Sequence, residues 1–181
     1  PEGVTVSPDG KHVYVTSESE NAVDVISTAE QRVVTRLPTS ARPRAVALSA
    51  DGTQAYVTAE LGGKLHMIDT RSRAPNGEVR TGGPDAKPMG IAVAPDGVRA
   101  YVSNGRSGSV AVIDLPSRRV VRTIEHVGTR LWGIALTPDG KKLYVAAGPD
   151  LAVVDPVRGT VQKRIAVGKG PWGVVVARRA P

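Results

Sequence analysis

Five residues of very different chemistry, Glu2, Arg44, Met89, Trp132 and Trp172, share one recurring position in this 181-residue sequence. Each stands immediately before the Gly or Ala that opens a short apolar run. A carboxylate, a guanidinium, a thioether and two indoles at equivalent positions converge only if the chain repeats around an axis. There they would ring the mouth of a central channel, with Arg130 and His126 beside them from the connecting segments. Variation at a constant position is what a binding mouth requires. The same side chains could instead plug the channel as packing.

Other chemistry finds less support. The three histidines, His12, His66 and His126, occupy non-equivalent places in their repeats and would not converge as metal ligands do. Glu18 and Glu20, near Glu2, are the one set that could hold a hard cation. No serine lies in Gly-x-Ser-x-Gly, and no His or Asp partnering for one is implied, so no catalytic residue and no cofactor is expected. The chain has no cysteine, which excludes disulfides, thiolate chemistry and iron–sulfur ligation. There is no Gly-rich dinucleotide or phosphate loop and no haem-attachment motif.

These residues must be positioned by the element that repeats. Ser7-Pro8-Asp9-Gly10 precedes Tyr14-Val15, Ser49-Ala50-Asp51-Gly52 precedes Tyr56-Val57, Ala94-Pro95-Asp96-Gly97 precedes Tyr101-Val102, and Thr137-Pro138-Asp139-Gly140 precedes Tyr144-Val145. Successive glycines of the string lie 42, 45 and 43 residues apart. A period near forty signals a propeller or solenoid. The Asp-Gly pairs are turn chemistry and not calcium loops.

The third repeat reads as four strands. Gly90-Ile91-Ala92-Val93 is broken by Pro95-Asp96-Gly97, and Ala100-Tyr101-Val102-Ser103 forms a second strand. Val110-Ala111-Val112-Ile113 is the third, ending at Asp114, where Ser27 stands in the first repeat. Residues 118–124 alternate charged and apolar side chains, as an outer, half-solvated strand should. Strands nearly without charge at one edge and basic at the other make a propeller blade, whose charged rim resists edge-to-edge pairing. Stacking is expected to bury both faces of the inner strands.

Pro-x-Gly-Val-x-Val-Ser-Pro-Asp-Gly-Lys-x-Val-Tyr-Val-Thr followed by Val-x-Val-Ile-Asp-Thr resembles the YVTN-type β-propeller repeat. The resemblance covers essentially the whole chain. The stretch from Leu131-Trp132-Gly133 to Gly170-Pro171-Trp172-Gly173-Val174-Val175-Val176 is most similar to the C-terminal blades of propellers associated with pyrroloquinoline-quinone (PQQ)-dependent catabolism. This resemblance implies a bacterial, exported, seven-bladed ring near periplasmic quinoprotein dehydrogenases or their cytochromes.

An all-β propeller is therefore expected, with four four-stranded blades at about 1–42, 43–87, 88–130 and 131–170. Residues 171–181 would supply the inner strand of a further blade. That seventeenth strand would compete with residues 3–7 in a closed four-bladed ring. The chain is accordingly expected to be the C-terminal part of a seven-bladed ring, closed by N-terminal blades or another chain. A formal charge of +7, scattered without long runs, suits an acidic partner, and the scarcity of free aromatic platforms argues against nucleic acid. No stretch is apolar enough to span a membrane. The leading expectation is a non-enzymatic, periplasmic or extracellular scaffold. It would bind a protein, such as an acidic periplasmic redox protein, or a small ligand at the channel mouth. A propeller enzyme, lactonase-like or cofactor-dependent, and a surface-layer or adhesion module are the alternatives.

Overall fold

A computed structural model describes residues 1–177, and among these it contains sixteen strands in four sheets. The first blade comprises β1 (Val4–Val6), β2 (His12–Ser17), β3 (Ala22–Ser27) and β4 (Arg32–Pro38). The second comprises β5 (Pro43–Leu48), β6 (Gln54–Ala59), β7 (Lys64–Asp69) and β8 (Ala74–Arg80). The third comprises β9 (Pro88–Val93), β10 (Arg99–Asn104), β11 (Ser109–Asp114) and β12 (Arg119–Ile124). The fourth comprises β13 (Leu131–Leu136), β14 (Leu143–Ala147), β15 (Asp150–Asp155) and β16 (Thr160–Ala166). Each sheet is an antiparallel meander in chain order. The blades are those of a β-propeller.

The Asp-Gly string builds the first hairpin of each blade. Gly10, Gly52, Gly97 and Gly140 all have φ near +70°, a conformation that costs glycine nothing. The Asp9 carboxylate accepts from the Ser7 hydroxyl at 2.6 Å and the Lys11 N–H at 3.0 Å, and Asp51 and Asp139 are held alike. Those bonds, the hydroxyl first, lower the pKa of all three aspartates. At the end of the third strand Asp69 and Asp114 accept from the N–H three residues on, and the Ser27 hydroxyl does the same for Glu30.

The tyrosine of the string packs blade against blade. Tyr14 lies with Val46, Ala55 and Val57, Tyr56 with Ala100, Val102 and Ile113, and Tyr101 with Ile134, Leu143 and Val145. These three rings are buried, whereas Tyr144, in the last blade, is half-exposed. The fourth strand adds one apolar residue per blade to the same face. Leu37, Val79 and Ile124 are 2%, 6% and 2% exposed, and burial of such a side chain contributes about 1.5–3 kcal/mol. Their counterpart Ile165 is 38% exposed, and on the opposite end face Val4 is 67% exposed against 7% for its equivalent Val46. Both end faces of the four-blade stack are thus apolar and bare.

A hydroxyl relay ties neighbouring inner strands. Thr16 Oγ1 accepts from the Gly3 N–H at 2.7 Å and donates to the Arg44 carbonyl of the next blade at 2.9 Å. Thr58 links the Ala45 N–H to the Met89 carbonyl, and Ser103 links the Gly90 N–H to the Trp132 carbonyl, with donations of 2.6 and 2.5 Å. Ala146 stands at the fourth equivalent place and has no hydroxyl. There the Gly133 N–H reaches the Trp172 carbonyl directly, at 2.9 Å.

Two expectations need correction. The driest strands are the second and third of each blade, not the inner ones, because the inner strands line the axial channel and leave one face half-open. Residues 173–177 also do not form a strand. Trp172 and Gly173 lie against Gly133 as Trp132 lies against Gly90, so they hold the next inner position. With no second strand beside them among the described residues, Val175 is left 85% exposed. Residues 178–181 of that expected segment lie outside the described residues.

Candidate functional site: the channel mouth

The chain enters β5, β9 and β13 through a left-handed residue. Arg42, Lys87 and Arg130 have φ of 65°, 54° and 50°, and Gly170 takes the fourth equivalent place at 68°. Holding a non-glycine residue there costs about 1–2 kcal/mol. The turn aims the second residue after it at the axis. Glu2, Arg44, Met89, Trp132 and Trp172 consequently line one cavity of about 300 Å³, whose walls are the backbones of the inner strands. Five of the seven expected mouth residues are brought together there.

Arg44 is the electrostatic centre. Its side chain is only 8% exposed and contacts Glu60 at 2.6 Å, Glu2 at 2.7 Å and Glu18 at 3.1 Å. Arg42 bonds Glu18 and lies 3.4 Å from Glu60. Two guanidinium groups, Arg42 from the connection and Arg44 from β5, thus hold three carboxylates drawn from two blades. The glutamates that could have held a hard cation, Glu2, Glu18 and Glu20, do not converge. Glu2 and Glu18 turn to Arg44, and Glu20 turns outward to Arg36 at 3.5 Å.

A hydrogen bond shared with Glu2, then the Arg42 guanidinium, holds the Glu18 carboxyl below the usual carboxylate range. A group whose pKa is depressed on folding contributes stability above its unfolded pKa. It loses that contribution as pH falls through the folded value. The stability of the Glu18→Gln variant is therefore expected to fall less steeply than wild type below about pH 4.5. Urea unfolding across the acid range checks this, and superimposable acid limbs would refute it.

Beside the cluster runs a groove of about 520 Å³. Five cations, Arg42, Arg44, Lys87, Arg106 and Arg130, face one carboxylate, Glu60, over a floor of Met89, Leu131 and Trp132. Arg42 and Arg44 are neutralised by glutamates, and Arg106 sits 3.4 Å from Asp85 on the exposed rim. Lys87 and Arg130 have no ion-pair partner among the described residues. Trp132 stacks on Trp172 with ring centroids 3.8 Å apart and planes inclined by 23°. Trp172 remains 56% exposed, so the pair forms a platform at the mouth and does not seal it.

His126 does not join this group. It is exposed in the connection between the third and fourth blades, where its carbonyl accepts from Arg164 Nη2 at 3.0 Å. His66, on β7, finds a partner of another kind than a metal. The fold sets its Nε2 2.8 Å from the Ser40 hydroxyl, a partnering that the sequence does not signal because the two residues belong to different blades. The available cue was a histidine and a glutamate, His66 and Glu78, at a register pair occupied by Asp24 and Arg36 in the first blade and by Ala111 and Thr123 in the third.

Residues 28–154 match the family model described as lactonase, 7-bladed β-propeller. Among solved structures, hydrazine synthase of Kuenenia stuttgartiensis superposes with a TM-score of 0.84 at 25% identity, over 93% of this chain and 49% of that one. A protein of Bacteroides uniformis ATCC 8492, provisionally assigned as a 6-phosphogluconolactonase, superposes with a TM-score of 0.78 at 21% identity, over 93% and 55% respectively. The chain thus spans about half the length of the solved structures it matches. No curated protein matches it.

Proposed function

Because the chain belongs to the lactonase family of seven-bladed β-propellers, we propose that it works as a propeller that binds an anionic ligand at its channel mouth. One observation carries this reading: Lys87 and Arg130, without ion-pair partners among the described residues, flank an apolar floor that ends in a stacked tryptophan pair. An anion would gain two charge-assisted contacts and could lay its apolar body on Met89 and Trp132. The mixed charges around the groove would impose register on the ligand more than raw affinity. The acidic surface of a protein partner offers the same chemistry on a larger scale.

Trp132 and Trp172 are the only tryptophans in the chain, so tryptophan fluorescence, excited at the red edge where the four tyrosines do not absorb, reports this mouth alone. Titration with an aromatic dicarboxylate is expected to quench it. The midpoint should move at least fivefold to weaker binding in the Lys87→Gln, Arg130→Gln double variant, and should also weaken with added salt. Quenching that ignores both changes would remove the electrostatic basis of the reading.

The finer setting rests on the repeat itself: a YVTN-type propeller of the PQQ-associated kind, exported, beside an acidic redox partner. We also propose that further blades or another chain cover the bare end faces, on the strength of exposed Val4, Val6 and Ile165. The 18.9 kDa chain alone is then expected to sediment above its monomer mass. The Val4→Asp, Ile165→Asp variant should return it to monomer. A wild-type chain that stays monomeric would count against this covering.

Hydrolysis of a lactone is the second reading, favoured by the family match.

A further inference from the structure

Outside the channel mouth, three side chains from three segments form a chain of contacts at the junction of the first and second blades. Ser40 lies in the connection between β4 and β5, His66 is on β7, and Glu78 faces it in register on β8. The Ser40 Oγ is 2.8 Å from His66 Nε2, and the Ser40 backbone N–H also donates to Nε2, at 3.1 Å. Two donors converging on Nε2 require it to be the lone-pair nitrogen. The ring proton therefore sits on Nδ1, which faces Glu78 Oε2 at 3.8 Å. Glu78 is held in turn by Lys64.

From this geometry we propose that Ser40, His66 and Glu78 form a hydrolytic unit for carboxylic esters, with Ser40 as nucleophile, His66 as base and Glu78 as a positioning residue. A serine, a base within hydrogen-bond reach and a third group orienting the base are the parts that nucleophilic ester cleavage needs. Two further groups adjoin Ser40. Ser40 is half-buried on the face shared by the inter-blade connections, and Gly62 packs so closely on it that a Cβ there would lie 2.5 Å from the Ser40 Cβ. The following amide, Ala41 N–H, donates to no group among the described residues, and Ala41 lines an open cavity of about 570 Å³ with Glu18, Asn21, Arg42 and Leu61. The amide after the nucleophile is a common oxyanion donor. Burial pushes the His66 imidazole below its ordinary pKa and Lys64 acts in the same direction, while Glu78 opposes them. The ring is thus neutral and able to accept a proton near pH 7.

In the acylation step the Ser40 Oγ forms a bond to the ester carbonyl carbon and its proton passes to His66 Nε2. The tetrahedral adduct collapses with cleavage of the carbon–oxygen bond, and the leaving alkoxide takes the proton from Nε2. Water then adds to the acyl-serine with His66 again accepting a proton. Release of the acid restores Ser40, for a net conversion of ester and water into acid and alcohol. A lactone would follow the same course with its hydroxyl tethered. That substrate class rests on the hydrolase reading, whereas the nucleophile itself can be tested without a lactone.

The test is covalent labelling of the chain with a fluorophosphonate probe, read by intact mass and peptide mapping. A single adduct on Ser40 is expected. It should be absent in Ser40→Ala, at least tenfold slower in His66→Gln, and shifted to a lower pH midpoint in Glu78→Gln, because Glu78 raises the pKa of His66. Circular dichroism melting verifies that each variant is folded. If a variant does not fold, Ser40→Cys supplies the second measurement, through iodoacetamide alkylation whose rate should follow the same pH profile. A folded wild-type chain left unlabelled at Ser40, or labelled equally fast in His66→Gln, would overturn the proposal and reduce the contact to a pin for residues 39–42. Labelling at Ser40 without turnover of any lactone would sustain the unit and refute only the lactone reading.

Discussion

Replacing Arg44 by methionine is expected to lower the unfolding free energy by about 2–4 kcal/mol, although methionine fills much the same space. The guanidinium is 8% exposed and is the shared partner of Glu2, Glu18 and Glu60. Without it three carboxylates face one another with only Arg42 left to offset them. Removing one member of a buried ionic network typically costs about 3–5 kcal/mol, and solvent reaching the half-exposed glutamates brings the figure down. The cost should be largely recovered by adding Glu2→Gln and Glu60→Gln, since the destabilisation comes from stranded charge and not from a cavity. Urea unfolding of the single and triple variants measures both numbers. A single variant as stable as wild type would mean that the cluster is held open by water and contributes little.

The second large effect is expected at Thr58→Val, which should cost about 2–4 kcal/mol while leaving volume nearly unchanged. Thr58 is fully buried, and its hydroxyl satisfies the Ala45 N–H within its blade and the Met89 carbonyl of the next. Valine strands both, and each unsatisfied buried group costs about 1–3 kcal/mol. Thr58→Ser keeps the hydroxyl and is expected to lose less than half as much. Hydrogen exchange supplies the specific readout: the Ala45 amide should lose protection in Thr58→Val and keep it in Thr58→Ser. Equal protection in the two variants would remove the relay from the account of how blades adhere. The fourth blade already shows the alternative, where Ala146 is accommodated by a direct bond from Gly133 to the Trp172 carbonyl.

Much of the mouth was legible because a period converts sequence distance into angle about an axis. Glu2, Arg44, Met89 and Trp132 share one offset from the Asp-Gly turn, and Trp172 precedes a glycine and an apolar run as Trp132 does, so their meeting followed from counting. What counting left open is what they do on arrival. Arg44, expected as a contact residue, lines the mouth and is engaged there by three glutamates, two of which belong to the chain before the second blade begins. His126 has an exposed place in a connection whose length differs between blades, and such loops do not inherit the period. Ser40, His66 and Glu78 were beyond reach for the same reason: their contact depends on how residues 39–42 fold over the neighbouring blade.

The Asp-Gly/Tyr-Val string by itself determined the blade, its hairpins, its strand order and the direction each tyrosine faces. All of these are set by interactions within about forty residues, namely a left-handed glycine, a capping carboxylate and side chains alternating along a strand. Tertiary structure alone decided which polar groups meet, because the Thr16, Thr58 and Ser103 bridges, the Arg44 cluster and the Ser40–His66 contact all cross from one segment or blade to another. Those contacts depend on the angle and spacing at which one twisted sheet lies on the next. That geometry is fixed only when the tyrosines, valines and leucines of adjacent blades have packed together.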